Sequence, residues 1–172
     1  YVDKWIGPPG IANTIKVCHK KLIAYNCDVI ALEQLIIPLI KDQHICLLGD
    51  GAMAQNVIML AKLNHATVSQ YSRKLNKWDQ RHTDSDVLIN ATSIGMNASE
   101  SPVEQILSNT VIDCVIGPTK LIKDAKALGK VCVTGADIYM KQFKQQFYVY
   151  TDGRRTANKH KSLAAAKRYI NQ

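Results

Sequence analysis

From residue 45 onward, short unbroken apolar runs alternate with segments whose apolar positions return every three or four residues. The run Ile45-Cys46-Leu47-Leu48 reads as a buried strand, 52–63 as a helix and 66–71 as a second strand. Further strands are expected at 86–91, 111–116 and 131–133, with helices at 103–107, 121–128 and 137–150. Continuous apolar strands alternating with helices predict an α/β fold, a parallel sheet with helices on both faces. Ahead of residue 45 the pattern differs. Residues 11–26 read as a hairpin turning at His19-Lys20-Lys21. Asp28 is then placed to cap a helix running to about residue 40, which Pro38 should bend or stop early. A last helix is expected at 162–170, with Leu163, Ala166 and Ile170 on one stripe. Tyr139, Phe143 and Phe147 share a helix face and read as core rather than as a platform for bases.

The stretch between Gly49 and Asp86 holds one helix and one strand with little to spare. A second βαβ unit would need ~30 residues of its own. The sheet is therefore expected to be Rossmann-like but trimmed to five strands. Three parts follow: an N-terminal hairpin and linking helix at 1–40, a nucleotide-binding domain at 41–150, and a linker with a terminal helix at 151–172.

The first strand of the parallel region runs into Gly49-Asp50-Gly51-Ala52-Met53-Ala54, a Gly-x-Gly-x-x-Ala element between a strand and a helix. The first glycine permits a tight turn and the second lets backbone approach a pyrophosphate. Small residues let the helix pack close, with its N-terminal amides toward the phosphates. At the end of the second strand, an NAD-binding domain carries an acid for the ribose hydroxyls. Here the sequence reads Ser72-Arg73-Lys74. A carboxylate would repel a 2′-phosphate, whereas arginine offers it a planar fork of donors. The expected cofactor is NADP.

Composition narrows the partners. The chain of 172 residues is 47% hydrophobic and 21% charged, with a formal charge of +8. That is enough apolar material for a core. The positive excess invites a nucleic-acid reading, and Arg154, Arg155, Lys159 and Lys161 cluster near the end. No base-stacking motif accompanies them, so neither nucleic acid nor membrane is expected as a partner. The longest apolar stretch, 29–40, is interrupted by Glu33, Gln34 and Pro38 and falls well short of the roughly 20 residues of a membrane span. Cys18, Cys27, Cys46, Cys114 and Cys132 are odd in number and widely spaced, which fits reduced cysteines of a cytoplasmic protein. Neither they nor the histidines have metal-ligand spacing.

The third strand of the parallel region ends in Ile89-Asn90-Ala91-Thr92-Ser93-Ile94-Gly95-Met96. This octet resembles the Ile-Asn-Ala-Thr-x-x-Gly-Met signature of the shikimate dehydrogenases. Gly10-Ile11-Ala12-Asn13-Thr14, Asn26-Cys27-Asp28, Asp113 to Pro118 and Gly135 to Gln142 resemble further family segments, so the likeness runs from about residue 10 to the final helix. The resemblance implies NADPH-dependent reduction of 3-dehydroshikimate to shikimate. It implies that Asp28 is catalytic, paired with a lysine, and that Asn13, Asp28 and Gln142 bind substrate. Cofactor contacts would fall to Gly49, Gly51, Ala52, Ser72, Arg73, Lys74, Asn90, Thr92, Met96 and Gly135. The family's lysine would fall ahead of residue 1, since Lys4 is too close to Asn13 to match it. Tyr1 in place of an initiating methionine suggests a processed chain or a piece of a longer one, with the rest of the substrate domain upstream. Ile116 stands where the family has tyrosine, and Cys27 where it has threonine. The competing expectation is a stand-alone NADP-binding module without catalysis.

Overall fold

The computed structural model describes residues 4–6, 11–81, 84–97 and 99–153. The expected helix at 162–170 lies outside them. A small sheet comes first: β1 (Lys4–Ile6), β2 (Thr14–Cys18) and β3 (Lys21–Tyr25), in the order β1-β3-β2. β2 and β3 are the expected antiparallel hairpin, turning through His19 and Lys20, both at positive φ as a two-residue turn requires. β1 joins β3 in parallel and had no alternation long enough to announce it.

α1 (Cys27–Ile40) leads into β4 (His44–Leu48), α2 (Ala52–Leu63), β5 (Thr67–Tyr71), β6 (Val87–Asn90), β7 (Thr110–Asp113), α3 (Lys120–Ala127), β8 (Val131–Val133) and α4 (Gly135–Tyr150). The five later strands form one parallel sheet in the order β5-β4-β6-β7-β8. This is the trimmed five-strand sheet that the spacing predicts.

Alternation along each strand sorts the core into two layers. Ile45 and Leu47 of β4 and Ile89 of β6 pack beneath α1 and α2, together with Ile138 of α4. Cys46, Leu48 and Leu88 face the other way, onto Leu121, Ile122 and Ala125 of α3 and onto Val103. α1 packs against both α4 and α2. α4 also reaches the small sheet, where Lys16 donates to the Val149 carbonyl at 2.8 Å and pairs with Asp152.

Three local expectations are corrected. Asn26, not Asp28, caps α1: its Oδ1 accepts from the Val29 N–H at 3.1 Å, and Asp28 sits inside the first turn. Both residue types cap well, so the choice between neighbours rested on tertiary contacts the pattern does not carry. The helix also passes through Pro38 to Ile40, because an exposed proline in the last turn interrupts little that follows. The helix expected at 103–107 does not form. Five residues cannot repay helix nucleation, and the Ser101 hydroxyl instead bonds the Val103 carbonyl at 2.8 Å in a local turn. Val103 and Ile106 still cover the sheet as that helix would have done.

Candidate functional site

In this strand order the direction of winding reverses between β4 and β6, and open α/β sheets bind ligands outside the carboxyl ends of the strands at such a point. A cleft of about 570 Å³ lies there. Three loops form it: Gly49 to Gly51 after β4, Ser72 to Lys74 after β5, and Ala91 to Ile94 after β6.

The glycines differ in what they do. Gly49 turns at φ +116, and a β-carbon on it would fall 2.6 Å from the Ala91 carbonyl oxygen. It lets the first and third loops touch. Gly51 is exposed with nothing within 4 Å of a notional β-carbon, so the fold does not require it to be bare. It stands at the N-terminus of α2, whose first amides have no partner within the helix. Ser72 links the second loop to the first: its hydroxyl donates to Asp50 Oδ2 at 3.1 Å and accepts from the Leu75 N–H at 3.1 Å. Gln70 adds a bond to the Gly49 carbonyl at 2.9 Å. Arg73 and Lys74 are left exposed at the cleft's edge, among loops whose backbone is held.

Of the expected cofactor residues, Gly49, Gly51, Ser72, Arg73, Lys74 and Thr92 line this cleft. Ala52 opens α2 immediately behind Gly51. Asn90 is wholly buried beneath the third loop, and Met96 is 77% exposed just beyond it. Gly135 lies at the start of α4 against the exit of β7. Asp50, Trp78, Ser93 and Ile94 also line the cleft. Trp78 carried no periodic signal, since it lies in an isolated 3₁₀ turn, Trp78–Gln80. The Arg81 guanidinium lies 4.5 Å from its ring centroid and donates to the Trp78 carbonyl at 2.8 Å.

Of the residues expected to meet substrate, Asn13 and Asp28 meet where the small sheet runs into α1, and Gln142 lies on α4, which packs against α1. Asn13 Oδ1 accepts from the Cys27 N–H at 2.9 Å and from the Thr14 hydroxyl at 3.0 Å. Its Nδ2, the only donor of that side chain, is buried and turns toward the Asp28 carboxyl without closing an ordinary hydrogen bond. Burial raises the Asp28 carboxyl above the usual carboxylate value, and the Asn13 side chain beside it holds it partly back. Gln142 is half-buried on α4, one turn ahead of Gln146, whose Nε2 donates to the Thr14 hydroxyl at 3.1 Å. Asp28 also lies within electrostatic reach of Cys114 at the end of β7. Burial, with the charges of Asp113 and Asp28 behind it, pushes that thiol up to about 12. Among the described residues no cluster of three or more metal-ligating side chains occurs, all five cysteines are free, and no helix is long and apolar enough to cross a membrane.

A parallel sheet with a glycine turn, a basic second loop and a cleft at the switch point defines a dinucleotide-fold protein. Comparison with known proteins narrows this class. No family model matches the chain. The shikimate dehydrogenase (NADP(+)) of Methanocaldococcus jannaschii is 31% identical over 185 residues, covering 87% of this chain and 65% of that protein. The enzyme of the same name from Staphylococcus haemolyticus is 27% identical over 168 residues, covering 83% and 62%. Among solved structures, a shikimate 5-dehydrogenase-like protein superposes with a TM-score of 0.78 at 25% identity, covering 99% of this chain and 73% of its own. A shikimate dehydrogenase in complex with NADP+ superposes at 0.74 with 20% identity, covering 100% and 72%. In sequence over most of its length, and in fold, this chain is similar to the shikimate dehydrogenases. It spans about 62% of the length of the first of these curated relatives.

Proposed function

We propose that this chain is the dinucleotide-binding part of an NADP-dependent shikimate dehydrogenase, together with the adjoining edge of its substrate site. One observation carries the reading: three loops far apart in sequence meet in a single cleft at the switch point of the sheet. The bare Gly51 leaves room for a pyrophosphate at the N-terminus of α2, and Arg73 with Lys74 supplies charge for a 2′-phosphate. When bound, NADPH supplies hydride. The chain's own residues would serve the other side of the carbonyl. Asp28, with its raised carboxyl, is suited to hold a substrate hydroxyl and exchange a proton with it. Asn13 Nδ2, turned toward Asp28, and the half-buried Gln142 of α4 are groups that fit the hydroxyls of a polyol acid. We assign residues 1–40 to the substrate domain's edge and 41–150 to the cofactor domain. We also place the protein in the cytoplasm, in keeping with its five free thiols.

The reading is tested by titrating the chain with NADPH and NADH. Tighter binding of the phosphorylated form is expected, and equal affinities would overturn the role given to Arg73. Shikimate oxidation is then assayed on the full-length protein. No shikimate-dependent NADPH formation from that full chain would leave a dinucleotide-binding module without this activity. One finding gives another substrate weight. A 5-ketofructose reductase of Gluconobacter shares the fold at a TM-score of 0.65, so the fold alone does not fix the substrate.

A further inference from the structure

Behind the third loop of the cleft lies a closed set of hydrogen bonds centred on Asp113, the last residue of β7. Its side chain is fully buried. Oδ1 accepts from Asn90 Nδ2 at 2.9 Å and from the Val115 N–H at 3.1 Å, and Oδ2 accepts from the Thr119 hydroxyl at 2.6 Å. Every partner donates to Asp113, so Asn90 is obliged to turn its NH2 group, not its oxygen, toward the carboxyl. The same Nδ2 donates to the Ile94 carbonyl at 2.9 Å. Asn90 Oδ1 is thereby aimed at the loop, where it accepts from the Thr92 N–H at 3.1 Å and the Thr92 hydroxyl at 2.7 Å. Thr92 Oγ1 in turn accepts from the Ile94 N–H at 3.0 Å. A reversed Asn90 amide would set donor against donor at Thr92 and oxygen against oxygen at Ile94. The loop between them touches the glycine turn: a β-carbon on Gly49 would meet Thr92 Cγ2 at 3.3 Å.

We infer that Asp113 is a positioning residue of the dinucleotide site, which fixes the orientation of the Asn90 amide and through it the shape of the Thr92 to Ile94 wall. This rests on the reading that the cleft takes an NADP-type dinucleotide, yet it makes a separate demand. The wall lies on the β6 side, away from the basic loop after β5. Disturbing Asp113 should harm binding of the whole dinucleotide and spare a ligand that uses only the basic loop.

The experiment compares the wild-type chain with Asp113→Asn, which places an NH2 group where the network needs an acceptor. Calorimetric titration is done with NADPH and with adenosine 2′,5′-bisphosphate, which lacks the nicotinamide half. NADPH affinity should fall at least about tenfold, and affinity for the bisphosphate should stay within about twofold. Equal losses for both ligands, or no loss for either, would overturn the inference while leaving the cofactor reading intact. A wild-type chain that binds neither ligand would overturn both. If the variant does not fold, the wild type still decides. Both Asn90 side-chain amide protons are bonded, so their nuclear magnetic resonance signals should exchange slowly with solvent. Exchange as fast as that of the exposed Asn76 side chain would refute the network.

Discussion

Gly135, the first residue of α4, stands so close to Val115 that a β-carbon on it would lie 2.2 Å from the Val115 carbonyl oxygen. In an exposed helix, replacing glycine by alanine gains roughly 1 kcal/mol. Here the sign reverses, because the obstacle is the backbone leaving β7, also 2.8 Å away at the Cys114 carbonyl, and backbone cannot rotate aside. Gly135→Ala should therefore cost about 1–3 kcal/mol, the usual penalty for overpacking. Thermal denaturation followed by circular dichroism measures it, and an unchanged or raised midpoint would contradict the packing.

The two glycines of the first loop should separate stability from binding. Gly51→Ala meets nothing within 4 Å and sits at an ordinary φ of −75°, so stability should hold within about 1 kcal/mol. Its methyl group would nonetheless stand where a pyrophosphate must approach, and NADPH affinity should fall by about tenfold or more. Gly49→Ala is expected to lose both, since φ is +116 and the Ala91 carbonyl would be 2.6 Å away. Denaturation midpoints for the two variants that coincide would show that Gly49 is not structurally required.

Asn26 takes the capping role that the sequence suggests for Asp28. Asn26 is buried, caps α1 and donates to Asn56 Oδ1 at 3.0 Å, so Asn26→Ala should cost about 1–2 kcal/mol. Asp28→Asn should do the opposite at neutral pH. The folded Asp28 carboxyl is raised by burial, so the folded state holds a proton more readily than the unfolded chain. The stability this confers is full below the ordinary value of 3.8 and is lost as pH rises through the raised one. At neutral pH the charged, desolvated form is a burden that asparagine removes. The variant's midpoint should exceed the wild type's at pH 7, with the gap closing toward pH 3. A gap that widens on acidification would reverse the assignment.

The parallel sheet, its five strands and the glycine loop were legible because period and spacing are local properties. The cleft's basic edge was legible because Ser72, Arg73 and Lys74 are contiguous. What stayed hidden was carried by contacts between distant segments. Asn90 and Asp113 meet across neighbouring strands, and nothing in either stretch announces that Asn90 serves the loop from behind rather than facing the cleft. Trp78 reaches the cleft through an irregular segment, and β1 is only three residues long. The missing helix at 103–107 shows the reverse error, since apolar spacing sufficient to cover a sheet was read as sufficient to form a helix.

Arg73 and Lys74 carry the last expectation, that cofactor preference can be shifted without harming the fold. Both side chains are exposed beside the cleft. Arginine can meet a phosphate with two parallel donors, while lysine acts as a point charge on a flexible stem. Arg73→Ala should therefore reduce the ratio of NADPH to NADH affinity by about tenfold, chiefly by weakening NADPH, and Lys74→Ala should reduce it less. Exposed charges are screened, so the wild-type preference should shrink as salt rises toward 1 M, where the screening length is about 3 Å. NADH binding should barely respond, because it lacks the 2′-phosphate that we assign to these residues. Calorimetric titrations of both cofactors at two salt concentrations decide the matter. An Arg73→Ala chain that keeps the full preference would move 2′-phosphate recognition to another part of the cleft.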